Sequence, residues 1–263
     1  MIKEQIVYKR PEQPRLTVED VYIRHGEKAY SPVSAETGLT EGGIIASREV
    51  GKSFPNFDMI KNYSSDTART IDTVELVKEA AKTEKKGTLR LRDELSFHYD
   101  HEGQFLHDIM RIKREVFGDA YDSLEKSEQE RLTAEATEKQ TDYYLSFKDQ
   151  RPDPQTYSPW ETAADIAKLI LEHAKLYMPS KKDADHKIQL LNGTHDFNLA
   201  SFLKEAIGFD SIRDIGGGTK FNEYFTVTTN IDAKGKSISL RFREKEYPLS
   251  VDQLREIAAR SSS

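Results

Sequence analysis

An α/β fold with a mainly parallel central sheet flanked by helices is predicted by three features of this 263-residue sequence. Short apolar runs alternate with longer segments whose apolar residues recur every three or four positions, the pattern of strands joined by packed helices. Polar and charged clusters follow several strand-like runs, and the crevice beyond the carboxyl ends of such strands is where an open α/β sheet binds ligands. No internal repeat or low-complexity tract interrupts the alternation.

Residues 1 to 16 are polar with two prolines and read as an extended lead-in. Val18 to Ile23 is the entry strand, running into Arg24-His25-Gly26-Glu27-Lys28. After the polar turn Ser31 to Gly38, Thr40 caps a helix to about Phe54, with Ile44, Ile45, Val50 and Phe54 on its buried side. Phe57 to Tyr63 is a second strand ending in Ser64-Ser65-Asp66, and a helix from Thr67 to about Lys82 buries Ile71, Val74, Val77 and Ala81. A charged turn at 82–87 leads to a short strand at Thr88 to Leu91. From Asp93 to Tyr157 charge and aromatics dominate, and the stretch reads as a helical insertion over the sheet's C-terminal edge. Ser127 to Glu130 forms a capping box there, and Arg151-Pro152-Asp153-Pro154 ends the insertion. Pro159 to Met178 carries one stripe of Trp160, Ala163, Ala167, Ile170, Ala174 and Tyr177. Lys187 to Asn192 is a strand entering Gly193-Thr194-His195-Asp196, followed by a helix from Phe197 to about Ile207. Gly216-Gly217-Gly218 is a flexible turn that precedes a strand, so it is not a phosphate loop. Phe221 to Thr229 and Ser237 to Arg243 form a hairpin turning at Ala233-Lys234-Gly235, and Ser250 caps a closing helix.

Composition narrows the function. Hydrophobic residues make up 37% and charged residues 32%, a globular balance. With 39 basic and 45 acidic residues the net charge is −6, which argues against a nucleic-acid partner, because such affinity comes mainly from phosphate neutralisation. A small anionic substrate needs only local positive charge. No run approaches the roughly 20 apolar residues of a membrane span, and no signal-peptide core follows Met1, so no membrane partner and a cytoplasmic location are expected. The absence of cysteine excludes disulfides, thiolate catalysis and Cys-ligated zinc. His98, His101 and His107, mixed with Asp100 and Glu102, match no tetrahedral zinc spacing, and neither a metal nor another cofactor is expected. Composition leaves the oligomeric state open.

Three clusters carry the chemistry: Arg24 to Lys28, Ser64 to Arg69, and Thr194 to Asp196. Converging at one sheet edge, they supply two imidazoles and two guanidiniums. That set can bind a doubly charged oxyanion and attack it, since the guanidinium fork pairs with two oxygens and an imidazole is a nucleophile toward phosphorus.

Arg24-His25-Gly26-Glu27 resembles the signature of the histidine phosphatase superfamily, which includes phosphoglycerate mutases and histidine acid phosphatases. The likeness continues in order along the chain. Gly38-Leu39-Thr40-Glu41 with Gly43 resembles the family's helix-opening segment, and Ser64-Ser65-Asp66-Thr67-Ala68-Arg69-Thr70 its second arginine motif. Ser158 to Thr162 loosely resembles its Gly-Glu-Ser segment without the glycine, and Leu191 to Asp196 the strand delivering its second histidine. The resemblance implies a three-layer phosphoglycerate mutase-like fold, as a single domain over residues 1–263 with a helical cap at about 93–157.

By the same resemblance His25 is the nucleophile that forms a phosphohistidine. Arg24, Arg69 and His195 bind the phosphate oxygens and stabilise transition-state charge. Lys28 stands where acid-phosphatase members carry another arginine, supplying the charge but not the fork; a solvated loop lysine is the alternative. Ser31 matches a polar position that touches phosphate, or is an ordinary turn residue. Two carboxyls compete as the acid that protonates the leaving oxygen. Asp196, directly after the second histidine, fits the acid-phosphatase pattern, although it could instead cap the following helix. Glu94, in Leu91-Arg92-Asp93-Glu94, resembles the mutase-like donor.

The expected activity is metal-independent hydrolysis of phosphate monoesters, with a phosphorylated small molecule, or a phosphoprotein, as substrate. The alternatives are mutase-like phosphoryl transfer between positions of a bound sugar acid, and a silent phosphoprotein-binding module.

Overall fold

The computed structural model describes residues 16–28, 38–176, 186–232 and 235–260. Among them seven strands form one sheet: β1 (Leu16–Arg24), β2 (Met59–Ser64), β3 (Arg90–Leu91), β4 (His186–Thr194), β5 (Tyr224–Asp232), β6 (Gly235–Phe242) and β7 (Lys245–Leu249). Their order is β3-β2-β4-β1-β5-β6-β7. The first four are mutually parallel and the last three are added antiparallel. The α/β class with a parallel core is as expected.

Alternation along β1 sorts the helices into two layers. Val21 and Ile23 join Phe54, Phe57, Ile60, Val74, Val77 and Leu191 under α1 (Glu41–Ser53) and α2 (Ala68–Ala80). Leu16, Val18 and Tyr22 enter the larger core under α5 (Pro159–Leu176), α6 (Asp196–Ile207) and α7 (Val251–Ala258). Between β3 and α5 lie α3 (Gln104–Phe117) and α4 (Lys126–Leu145). Phe97 and Tyr144 pack on Phe197 with ring centroids 4.9 and 5.0 Å apart, fixing this region beside the start of α6.

Several local expectations change. Ile45 is exposed, and the buried face of α1 is Gly43, Ser47 and Gly51. A Cβ at Gly51 would lie 2.2 Å from the Val77 carbonyl oxygen, so α1 packs on α2 by backbone approach rather than through isoleucines. Thr40 does cap α1, accepting from the Gly43 N–H at 2.9 Å, and Ser250 caps α7. The capping box at Ser127 does not form, because α4 begins at Lys126 after Glu125. Strand β7 was not foreseen; its two-residue turn, Arg243-Glu244, lacks the usual Asn or Gly, and Pro248 weakens its strand signal. Ala233, Lys234 and Tyr177, named in the hairpin turn and the α5 stripe, lie outside the described residues.

Candidate active site

Register brings three strand ends level. Arg24 of β1 pairs with Thr194 of β4, and Ser64 of β2 with Gly193. The next residues, His25, His195 and Ser65, therefore leave the sheet side by side. Helix α2 opens just after Ser65, with Arg69 in its first turn, and α6 opens at Asp196. Helix N-termini carry partial positive charge and unpaired N–H groups, so two of them here favour an anion.

His25 is 6% exposed. Its Nδ1 lies 2.8 Å from the Gly26 carbonyl oxygen. A carbonyl only accepts, so Nδ1 carries the proton and Nε2 keeps its lone pair. Burial, then Arg24 and Arg69, hold the imidazole well below its ordinary 6.5, so it is neutral near pH 7. Gly26 allows this approach, since a Cβ there would sit 3.1 Å from Ser47 Oγ and 3.3 Å from the Asn222 amide. Its own N–H donates to Thr73 Oγ1 at 2.8 Å.

Around His25 stand the other groups. The Arg24 guanidinium donates to the Thr219 carbonyl and pairs with Asp196 Oδ2 at 3.1 Å. His195 stands edge-on to His25, ring centroids 5.6 Å apart. Its Nδ1 is 3.4 Å from Arg69 Nη2, which can only donate, and its Nε2 is 3.2 Å from Ser65 Oγ. Burial first, then His25 and Arg69, keep His195 well below the usual imidazole range too. The Nε–H groups of Arg24 and Arg69 are buried and, among the described residues, without an acceptor. Such an arrangement, a free imidazole lone pair beside donors lacking acceptors, suits an incoming oxyanion.

The model of the histidine phosphatase superfamily (branch 1) matches residues 21–139, a span that includes Arg24, His25, Arg69 and Glu94. Residues 21–139 thus resemble the histidine phosphatase superfamily over somewhat less than half of the chain. His195 and Asp196 lie beyond that match and reach the superfamily segment through the β1–β4 pairing. Among solved structures, the chain is similar to mycobacterial hydrolase 1, at 17% identity over 88% of this chain and 100% of that one, with a TM-score of 0.51. It is also similar to a mycobacterial glucosyl-3-phosphoglycerate phosphatase, at 18% identity over 89% and 100%, with a TM-score of 0.50. A phosphoglycerate mutase from Bacillus anthracis str. Sterne aligns at 17% identity over 95% and 98%, TM-score 0.47. No curated protein matches the chain by sequence.

The two candidate acids of the superfamily resemblance part company. Asp196 is in the cluster. It is the first residue of α6, the cap position being His195, so its side chain is not the helix cap. Glu94 is bound by Arg92 at 2.7 and 3.1 Å, and Arg92 also holds Glu172 of α5 at 2.7 Å. Burial pushes the Glu94 carboxyl up, but the Arg92 bonds outweigh it and hold the group below the usual carboxylate range. Lys28 stands at the exposed rim, where desolvation, then Arg69 and Lys113, lower its pKa. Ser31 lies outside the described residues. His98 rests on Tyr157 and is 3.6 Å from Asp93, while His101 rests on Tyr99; among the described residues no three such side chains gather to hold a metal.

Sequence reasoning passed over several neighbours. Phe221 lies under the Arg24 guanidinium at 4.5 Å and 5.7 Å from the His25 ring. Thr219 enters through its carbonyl, which no sequence pattern marks. Ser65 orients His195 and is itself held by Thr70 Oγ1 at 2.7 Å; its signal was present in the Ser64 to Arg69 cluster.

Proposed function

We propose that the protein is a metal-independent phosphatase that hydrolyses phosphate monoesters through a phosphohistidine on His25. One observation carries the reading: the Gly26 carbonyl fixes the Nδ1–H tautomer of a neutral His25. Nε2 is thereby left as a free nucleophile, among Arg24, Arg69 and His195. The match of residues 21–139 to the histidine phosphatase superfamily model supports a phosphatase or mutase activity, and of the two, hydrolysis asks for only one bound ester and water.

In the first step the His25 Nε2 lone pair forms the N–P bond as the P–O bond to the leaving group breaks. Arg24, Arg69 and His195 neutralise the remaining phosphoryl oxygens, charge that would otherwise dominate the barrier. In this reading Asp196 delivers a proton to the departing alkoxide. In the second step the Asp196 carboxylate takes a proton from water, whose oxygen attacks phosphorus. The N–P bond breaks, His25 recovers its lone pair and inorganic phosphate leaves. Lys28 adds charge at the rim, and Ser31 is a further phosphate contact in this reading. The helices between β3 and α5 act as the cap that chooses the substrate.

The test is hydrolysis of p-nitrophenyl phosphate in the presence of a chelator, with acid-labile phosphate trapped on the enzyme. Turnover that disappears on chelation overturns metal independence, and labelling that persists in His25→Ala removes His25 as nucleophile.

A further inference from the structure

Arg243 lies at the far end of the antiparallel part of the sheet, in the turn between β6 and β7. It makes no direct contact with His25, yet its guanidinium is fully engaged. Nε donates to Glu223 Oε1 at 2.6 Å and Nη2 to Glu223 Oε2 at 2.8 Å. The remaining N–H groups donate to the carbonyls of Ile215 at 2.6 Å, Gly217 at 3.0 Å and Gly218 at 2.9 Å. All five donors of the fork are thus spent on one short segment. The segment is shaped to receive them: Gly216 and Gly217 have φ of +92° and +91°, and a Cβ on Gly216 would lie 2.9 Å from Arg243 Nη1.

That segment is the wall of the site. Its Thr219 carbonyl accepts from the Arg24 guanidinium, and its Glu223 carbonyl accepts from the Arg24 backbone N–H at 2.9 Å. Phe221, which underlies Arg24 and faces His25, is one of the few large apolar side chains left exposed among the described residues, at 37%. The Glu223 carboxylate bridges the two ends, accepting from Lys220 N–H at 2.8 Å as well as from Arg243.

A second observation is independent of these bonds. Arg243 and Glu244 have φ of +49° and +64°. Both central residues of this turn sit in the left-handed region that Asn and Gly occupy without steric cost. The hairpin by itself favours Asn-Gly there. Arginine at a position the backbone disfavours points to work done by its side chain.

We propose that Arg243 is a positioning residue of the phosphate site, acting through residues 215–223 to set the Arg24 guanidinium and the Phe221 ring. The inference rests on the phosphatase reading of that site. Arg243→Ala frees the glycine-rich segment, so Arg24 loses its carbonyl support and the Phe221 wall its place. The charge of lysine does not replace a planar fork, and Arg243→Lys recovers little.

The experiment measures the dissociation constant for inorganic phosphate, with kcat and KM for p-nitrophenyl phosphate, in wild type, Arg243→Ala, Arg243→Lys, Arg24→Lys and the Arg24→Lys/Arg243→Ala double variant. The melting temperature of each variant is recorded, and Arg243→Lys and Glu223→Gln replace Arg243→Ala if that variant does not fold. Expected is about a tenfold weaker phosphate affinity and about a tenfold lower kcat in folded Arg243→Ala, an effect much smaller once Arg24 is already lysine, as coupled residues behave. A purely structural role lowers the melting temperature and leaves the affinity and kcat of the folded fraction unchanged; that result overturns the inference. Additive losses in the double variant overturn it as well. A wild type that neither binds phosphate nor turns over ester fails the phosphatase reading itself, and the inference falls with it; an active wild type with an indifferent Arg243 fails the inference alone.

Discussion

Strand β1 brings two histidines beside acidic or basic partners, His25 at its end and His173 of α5 against Asp20 inside it, and only the first is open to chemistry. At its end, His25 stands beside Arg24, Arg69 and His195. Four residues before Arg24, Asp20 is fully buried against His173 of α5, Nδ1 to Oδ1 at 2.5 Å, with both side chains 1% exposed. Tyr63 covers the His173 ring at 4.9 Å. Burial pushes the Asp20 carboxyl up, and His173 opposes that shift. The inner pair is balanced, one acid for one imidazole, and sealed. The outer cluster has surplus cations, two helix N-termini and a free imidazole lone pair. A site is therefore made by an unbalanced set of charges at a strand end; the same residue types inside the sheet serve packing and register.

The sharpest way to break the contrast is to delete each histidine. His25→Ala is expected to cost about 10⁴-fold or more in kcat, as loss of a covalent nucleophile does, with little change in melting temperature. His173→Ala is expected to do the reverse. It strands the buried Asp20 carboxyl and destabilises the fold by about 3 kcal/mol, while kcat measured well below the melting temperature stays within a few-fold. Activity loss in folded His173→Ala comparable to that of His25→Ala would erase the distinction between the two regions.

The two carboxyls sharpen it further. Asp196 belongs to the outer cluster and Glu94 to the Arg92–Glu172 group. Asp196→Asn is expected to lower kcat by about 100-fold on alkyl phosphates, whose leaving groups need a proton, and far less on p-nitrophenyl phosphate. Glu94→Gln is expected to stay within about threefold on both, since general-acid losses of that kind need contact with the leaving oxygen. Rates for both variants across a series of leaving-group pKa values decide between them; a steeper dependence in Glu94→Gln would return the acid role to Glu94.

Acid pH acts on the outer cluster as a whole. His25 and His195 are held below their ordinary 6.5 in the folded protein, while in the unfolded chain they bind protons from about pH 6.5 downward. Through that window the unfolded state binds more protons, so stability rises with pH and is lost as pH falls toward the folded values. The expected result is a melting temperature that declines below about pH 6.5, with a shallower decline in His25→Gln/His195→Gln. Equal slopes would mean the imidazoles are not held neutral. The same shift carries the acid limb of kcat/KM below the ordinary imidazole value.

Much of the site is legible in the sequence. The strand-ending clusters predicted that Arg24, His25, Arg69, His195 and Asp196 gather, because parallel strands in register deliver their next residues to one edge. What escaped depends on approaches that leave no periodic mark. Phe221 and the Thr219 carbonyl arrive from the loop before β5, and Arg243 from a turn whose residues hide it. Helix α1 was misjudged on the buried side of Ile45 because its packing uses Gly43, Ser47 and Gly51, where the absence of a side chain is the signal.

Two capping signals of equal appearance give the smallest effect. Thr40 accepts from the Gly43 N–H at 2.9 Å and donates to Glu27 Oε2 at 2.9 Å, tying the start of α1 to the loop that leaves His25. Ser127 lies inside the first turn of α4, past the cap position at Glu125, and none of its bonds caps that helix. Thr40→Ala should therefore cost about 1 kcal/mol, the usual worth of an N-cap, while Ser127→Ala should fall within about 0.5 kcal/mol of wild type, as surface substitutions do. Chemical denaturation of both variants measures the difference directly. Thr40→Ala is also expected to raise KM slightly, since the Glu27 carboxylate it releases lies two residues from the nucleophile; Ser127, on the outer helix, has no such route to the site. Equal stability losses in the two variants would mean that α4 starts where its sequence motif, and not its backbone, places it.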